Sequence, residues 1–475
     1  MATALVWFRN DLRLHDNEAI RKAAEFEQVI PVYIFNSHHF SETDFGFPKT
    51  GPHRTRFLLE TIKNLRDNLQ VIGSDLIVRR GKPEQELQEL VSRYQVDTIV
   101  AQKEVTSEEI STEEAVRESV AAELDFVWGH TLYHREDIPY EADDIPKVFT
   151  NFRKQCEKRS EVRECLPKPE SLAPHGVKDT GEIPSAKELG VTPPAKDERA
   201  VLPFSGGEDG ALERLESYFW DQDQLKNYKF TRNGLLGSDY SSKFSPWLAN
   251  GSLSPRRIYW EVKKYEQERK KNVSTYWMIF ELIWRDFFRY SAIKYGNAIF
   301  LAGGIQQNER DWRHDREDFQ RWAKGQTGIP FIDANMRELN QTGYMSNRGR
   351  QNVASFLAQN LNIDWRMGAE YFESQLIDYD VCSNYGNWMY NSTVGQDPRN
   401  RYFNILNQAD KYDKKGEYVR HWLPELKNVP DDFIHEPHTM AVEQQKLSNV
   451  IIGEDYPAPM IDLEASYERI KQRDR

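Results

Sequence analysis

The first 135 residues repeat one pattern, and that pattern restricts the possible folds more than any other feature of the chain. Five short apolar runs, "TALVWF" (3–8), "VIPVYIF" (29–35), "DLIVRR" (75–80), "DTIVAQ" (97–102) and "LDFVWG" (124–129), alternate with amphipathic stretches near 17–26, 52–70, 83–95 and 107–121. β-Branched runs separated by helical periodicity predict a parallel sheet covered by helices, an α/β domain over 1–135. Neither G-x-G-x-x-G after the first run nor G-x-x-x-x-G-K-S/T occurs, which argues against a usual nicotinamide site and a P-loop. Ligands of such sheets still gather at the carboxyl ends of the strands.

With 475 residues the chain is too long for one ordinary core. The rhythm fades over 136–205, where "CLPKPESLAPHGVKDTGEIPSAKELGVTPPAKDE" is rich in proline, glycine and charge and reads as a connector. A helical period then takes over, predicting an all-α domain over 206–430 and a tail with one short helix over 431–475. The net charge of -12 excludes a uniformly basic nucleic-acid-binding surface, so any such role needs a local patch. Cys156, Cys165 and Cys382 are too few and scattered for a disulfide framework or a zinc site. No apolar stretch approaches a membrane span, and the N-terminus reads as a strand rather than a signal peptide, so a cytoplasmic location is expected, or an organellar one after loss of a transit peptide.

Several stretches concentrate chemistry. In "LIDYDVCSNYGNWMYNST" (376–393), Asp378 and Asp380 stand among amides and aromatics, and buried carboxylates need charged or hydrogen-bonding company. In "WMIFELIWRDFFRYSAIKYG", Glu281, Trp284, Arg285 and Phe288 share a helical face, while Trp277, Phe280, Ile283 and Phe287 form an apolar face that reads as core. The first face fits either an exposed Glu281–Arg285 pair or the wall of a site. In "NRGRQNVASF", Asn347, Arg350 and Gln351 share a face; they are either a solvated helix start or a set in which Arg350 turns inward to a carboxylate such as Asp378. Ser241, Ser242, Lys243 and Ser245 precede a helix signal at "SPWLANG", which fits an ordinary capped turn or a phosphate grip. Trp312, Trp365 and Trp388 are far apart in sequence, and each alone fits core.

Together, "LVWFRNDLRLHDN", "FSPWLANGSLSPR", "ELIWRDFF", "GIPFIDANMRELNQTGYMSNRGRQNVASFL" and "IDWRMGAEYFESQLIDYD" resemble the photolyase/cryptochrome family, in order and over nearly the whole chain. The resemblance implies an antenna-binding α/β domain and an all-α FAD-binding domain. It implies that Tyr228, Ser241, Ser242, Lys243, Phe244 and Ser245 grip the phosphates and ribityl chain, and that Glu281, Arg285 and Phe288 lie beside the flavin. Asn347 and Arg350 then pack on the ring system, and Asp378 and Asp380 sit near ring and ribose. Asn384 is implied beside the central ring, where it favours reduced and neutral-radical flavin over the oxidised form. Trp388, Trp365 and Trp312 match an electron relay, in that order outward.

Tyr390 and Gln351 stand where ordinary bacterial repair enzymes carry Trp and Met, and with "YKFTRNGLLGSDYSSKFSPWL" and "PRNRYFNILNQADKYD" they resemble the DASH cryptochromes. That branch implies blue-light repair of cyclobutane pyrimidine dimers, chiefly in single-stranded DNA and weakly if at all in duplex. It also implies a methenyltetrahydrofolate antenna at Glu104, and a monomer. The expected lesion contacts are Glu281, Trp284, Asn347, Gln351 and Tyr390, and Arg232, Arg348, Arg399, Arg401 and, less strongly, Lys154 are expected on phosphates. The rival class is a light sensor that photoreduces its flavin without repair; a light-independent flavin oxidoreductase lacks a nicotinamide motif.

Overall fold

The computed structural model describes residues 2–397, 399 and 402–473. The apolar runs form β1 (Thr3–Phe8), β2 (Gln28–Asn36), β3 (Ile77–Gly81), β4 (Thr98–Gln102) and β5 (Glu123–Val127), one parallel sheet in the order β3-β2-β1-β4-β5. Central β1 is buried along its whole length, as a strand covered on both faces must be. The covering helices are α1 (Glu18–Ala23), α2 (Pro52–Val71), α3 (Pro83–Tyr94) and α4 (Ser107–Ser119). Strand order reverses between β1 and β4, so a crevice opens beyond their carboxyl ends, at Arg9, Asn10 and Glu104.

The stretch read as a connector contains a helix, α5 (Phe149–Arg159), whose Phe149, Phe152 and Cys156 are buried. Further on, the Thr180 carbonyl accepts the Val78 N–H at 2.8 Å, so this chain covers the outer edge of β3. The helical half runs α6 (Glu208–Glu216), α7 (Tyr228–Thr231), α8 (Ser245–Ala249), α9 (Pro255–Glu268) and α10 (Val273–Tyr295). It continues with α11 (Arg316–Ala323), α12 (Pro330–Thr342), α13 (Asn347–Ser355), α14 (Trp365–Gln375) and α15 (Val381–Asn391). It closes with α16 (Ile405–Tyr412), α17 (Glu417–Trp422), α18 (Val442–Leu447) and α19 (Leu463–Arg473).

Helix α10 is the axis of this half. An Asn272 capping box fixes its start, and buried residues on several sides explain how it packs against many neighbours at once. The segment read as a tail is built in: the Tyr456 hydroxyl donates to Asp333 at 2.6 Å, and Tyr467 and Ile470 join the helical core. The halves are locked together by buried ions, with Arg256 2.7 Å from Asp16 and Asp286 accepting the Leu132 and Tyr133 N–H groups at 2.9 Å each. Among the described residues no helix is long and apolar enough to cross a membrane.

Candidate functional site

Two cavities meet at the segment that holds Asp378 and Asp380. The smaller, about 210 Å³, lies among α13, α14 and α15. Its wall includes Ser245, Asn347, Arg350, Gln351, Asp378, Asp380, Asn384 and Trp388, three separate stretches of sequence. The larger, about 730 Å³, lies at the carboxyl ends of the strands against the helical half. Tyr379 and Asp380 line both.

Arg350 turns inward: its Nη2 stands 2.8 Å from Asp378 Oδ2, and its Nε donates to the Met345 carbonyl. Asp380 has two tasks. It caps α15 by accepting the Ser383 N–H at 2.7 Å, and it accepts Arg289 Nη2 at 2.9 Å. Burial alone raises the Asp380 carboxyl; Arg289 and Arg285 outweigh it and leave it below the usual range. One turn into α15, Asn384 Nδ2 donates to the Ala369 carbonyl at 3.0 Å, which fixes its amide at the cavity wall. Helices α14, α15 and α10 approach closely through glycine. A Cβ on Gly368 would meet the Trp388 ring at 2.2 Å, and one on Gly386 would meet the Phe288 ring at 2.2 Å.

On α10, Glu281 pairs with Arg232 at 2.7 Å rather than with Arg285 one turn on. Burial draws the Glu281 carboxyl up, and Arg232 offsets part of that. Arg285 instead donates to the His130 and Leu248 carbonyls, tying α10 to the sheet half. Trp284 stacks on Phe149 at 3.6 Å and meets Tyr390 edge-on at 5.9 Å. Trp277 and Phe280, read from the sequence as core, are partly exposed, whereas Ile283 and Phe287 on the same face are buried.

The loop before α8 is held from below by Arg214, which donates to the Ser238, Ser241 and Ser242 carbonyls. Lys243 adopts a left-handed backbone, φ 57°, and its buried ammonium has no hydrogen-bond partner. Burial, then Arg214, push that lysine well below its ordinary value. Phe244 and Ser242 are buried, and so is Tyr228, whose phenol burial and then Glu281 drive up. None of Tyr228, Ser241, Ser242, Lys243, Phe244, Glu281, Arg285 or Phe288 lines the small cavity itself.

Among the described residues no ring contact joins any two of Trp388, Trp365 and Trp312; the ring neighbours of Trp388 are Phe372 at 5.1 Å and Trp322 at 6.2 Å. Trp365 and Trp312 are linked through one acceptor, the Ala302 carbonyl, at 3.0 and 3.2 Å from their indole nitrogens. Of the basic set, Arg348 reaches Gln408 and Asn233 and covers Tyr412 at 4.7 Å, Arg399 is exposed with Asp397 at 3.8 Å, Lys154 is exposed, and Arg401 lies outside the described residues.

At the large cavity, Glu104 accepts Asn10 Nδ2 and Arg289 Nη1, each at 3.1 Å, and stands 3.2 Å from His130 Nε2. Burial raises its carboxyl, but His130 and Arg289 outweigh burial and hold it ionised. Burial, then Arg289, push His130 down to about 4, so the ring is neutral at pH 7. Arg289, Arg214, His130 and Trp322 escaped the sequence reading. For Arg289 a signal existed, because it extends the i, i+4 register of Glu281 and Arg285.

A parallel sheet joined to a helical half, with an inward Arg–Asp pair on the wall of the smaller of two adjoining cavities, defines a flavoprotein of the light-driven type once the comparisons are added. Residues 4–172 match the family model described as DNA photolyase, and residues 277–474 match the FAD binding domain of DNA photolyase. The chain belongs to the photolyase/cryptochrome family. It is 52% identical to the cryptochrome DASH of Gloeobacter violaceus, over 97% of this chain and 93% of that one, and 49% identical to that of Xenopus laevis, over 95% and 88%. The solved Synechocystis cryptochrome superposes with a TM-score of 0.97 at 50% identity, each chain covered to 99%. A class III photolyase from Agrobacterium tumefaciens gives 0.86 at 29% identity, over 99% of this chain and 98% of that one.

The residues present fit FAD. Asp378 Oδ1, Gln351 Oε1 and Lys243 Nζ are buried polar atoms without hydrogen-bond partners, two on the cavity wall and one in the serine loop over the Tyr240 ring. Such atoms ask for a polar guest, and an ammonium in a serine loop suits a diphosphate.

Proposed function

We propose that the protein reopens cyclobutane pyrimidine dimers in single-stranded DNA under blue light. Bound in reduced form, FAD supplies the photoexcited electron that the reaction needs. Lys243 and the hydroxyls of Ser241, Ser242 and Ser245 hold its phosphates and ribityl chain, and Arg350, Asp378 and Asn384 fix the ring by hydrogen bonds. Glu281, its carboxyl drawn up by burial, meets a base edge, and Asn347 at the cavity mouth adds an amide. Trp284 and Tyr390 present rings against the lesion, and Arg232, Arg348 and Arg399 meet phosphates. A methenyltetrahydrofolate antenna occupies the large cavity, with Glu104 as its carboxylate contact.

One observation carries this reading: the small cavity gathers amides, an ion pair and a buried indole from separate sequence segments, and Trp284 with Tyr390 stands on the adjoining faces of α10 and α15. A dimer must leave the stack to reach such a cavity, and leaving a single strand costs less than leaving a duplex. The test is to record the absorption spectrum of the purified protein, then illuminate it in reductant with dimer-containing single-stranded and duplex oligonucleotides. Dimer loss in the single strand, well ahead of the duplex, is the expected result. A flavin spectrum that responds to light while no dimer disappears would transfer the reading to a light sensor, which the paired placement of Trp365 and Trp312 on Ala302 also suits.

A further inference from the structure

Trp284 is the inner end of a row of rings that runs outward along α10 and α5. Tyr390 meets Trp284 at 5.9 Å, Trp284 stacks on Phe149 at 3.6 Å, Phe149 meets Phe280 at 5.2 Å, and Phe280 stacks on Trp277 at 4.6 Å. The outer two are partly exposed, and Val273, one turn before Trp277, is 41% exposed. Cations flank these outer rings. Lys229 Nζ lies 4.6 Å and the Arg232 guanidinium 5.7 Å from the Trp277 ring, and the Arg153 guanidinium lies 5.5 Å from Phe280. Arg153 shares Glu157 with the Tyr276 hydroxyl, and Arg232 has Glu281, but Lys229 and Lys154 have no carboxylate partner among the described residues.

A chain of net charge -12 that sets cations around partly exposed rings, continuous with its lesion pocket, offers what an unpaired nucleic-acid strand uses: ring surface for bases and charges for the backbone. We infer that Trp277 and Phe280 form a stacking subsite for nucleotides flanking the lesion, with Lys229 on the phosphate between them. The inference rests on the reading of the cavity as a dimer site and goes further, because it gives the single-strand preference a cause on the protein surface. Duplex bases already have their faces covered by neighbours; only unpaired bases can exchange that stacking for an indole. The Lys229 ammonium over Trp277 is no barrier, since a base on that face outweighs an exposed cation–π contact and the flexible ammonium moves to the adjoining phosphate.

The test measures, in the dark and on FAD-loaded protein, affinity for a thymine-dimer dinucleotide, for a dimer-containing single strand of about ten nucleotides, and for its duplex. Trp277→Leu keeps apolar bulk and removes the ring; Trp277→Phe keeps a ring. The expected result is about tenfold weaker binding of the single strand by Trp277→Leu, recovered by Trp277→Phe, with the dinucleotide far less affected. Equal losses on strand and dinucleotide would overturn the subsite, because Trp277 would then act on the lesion pocket or the fold. So would single-strand affinity indifferent to the ring, including the case in which Trp277→Leu instead separates a self-associated pair seen by sedimentation. If the wild type ignores the dinucleotide yet binds plain single strands through the Trp277 ring, the subsite stands and the repair reading falls.

Discussion

The Asp378 carboxylate is 2% exposed and has one cation, Arg350, at 2.8 Å. Removing one partner of a buried pair strands the other, so Arg350→Met should lower stability by ~3–5 kcal/mol, while Asp378→Asn, which leaves an exposed-side arginine, should do less. Urea unfolding and bound-flavin content measure both; a small loss in Arg350→Met would mean that the pair adds little to the fold. Glu338 gives a pH prediction. Burial lifts its carboxyl to about 8 against an ordinary 4.5, although the Tyr418 hydroxyl at 2.6 Å, Lys243 and Arg350 pull the other way. A raised acid stabilises the fold below its unfolded value and loses that contribution as pH rises through the folded one. Wild-type stability should therefore fall from pH 5 to pH 8 relative to Glu338→Gln, by on the order of 1–4 kcal/mol. Parallel curves for the two proteins would show a carboxylate that is charged and paired throughout. At this scale the sequence revealed residue types but not partners. Arg350 had two open readings, and Glu281 found Arg232, just past α7, because tertiary approach overrode its helical neighbour Arg285.

Elements were more legible than contacts. β-Branched runs and turn signals located all five strands to within a few residues; β1, β2 and β4 are buried almost throughout and read as apolar runs, while the edge strands β3 and β5 are only partly buried. Helix α5 was missed because only Phe149, Phe152 and Cys156 of its eleven residues are buried, too few to give a clear period. The opposite error fell on Trp277 and Phe280: an apolar helical face reads as core whether it packs on protein or stays partly open. Close helix approach is likewise invisible without coordinates. Gly386 lets α15 lie against Phe288 of α10, so Gly386→Ala must push the helices apart or turn the Phe288 ring. Overpacking of this kind should destabilise by ~1–3 kcal/mol despite alanine's better helix propensity. The thermal unfolding temperature should fall in Gly386→Ala, and the repair rate proposed above should fall with it, because α10 and α15 bear Trp284 and Tyr390. A variant as stable and active as the wild type would mean that the ring moves freely and the spacing of α10 and α15 is not set there.

For the whole molecule the central fact is one arginine between two cavities. Arg289 is 4% exposed and spans Glu104 of the large cavity at 3.1 Å and Asp380, shared by both walls, at 2.9 Å. Glu104 leaves β4 at the reversal of strand order, Arg289 lies deep in α10, and Asp380 caps α15, so a single guanidinium joins the sheet half to the helical half. Arg289→Met strips two buried carboxylates of the cation that hydrogen-bonds both and should lower stability by ~3–5 kcal/mol. It should also release whatever occupies either cavity, since Asp380 carries the Ser383 cap on one side and the shared wall on the other. Glu104→Gln removes only one of those charges and keeps Arg289 on Asp380, so it should loosen the large cavity's guest and leave the flavin bound. Adding Glu104→Gln to Arg289→Met should then recover part of the lost stability, because one stranded charge is gone. Coupling through a shared residue is reciprocal: filling the large cavity with folate should slow flavin loss in the wild type and have no effect in Arg289→Met. Flavin release followed by fluorescence, with and without folate, measures this directly. Equal release rates in the wild type under both conditions would mean that the two cavities share a wall but not a free energy.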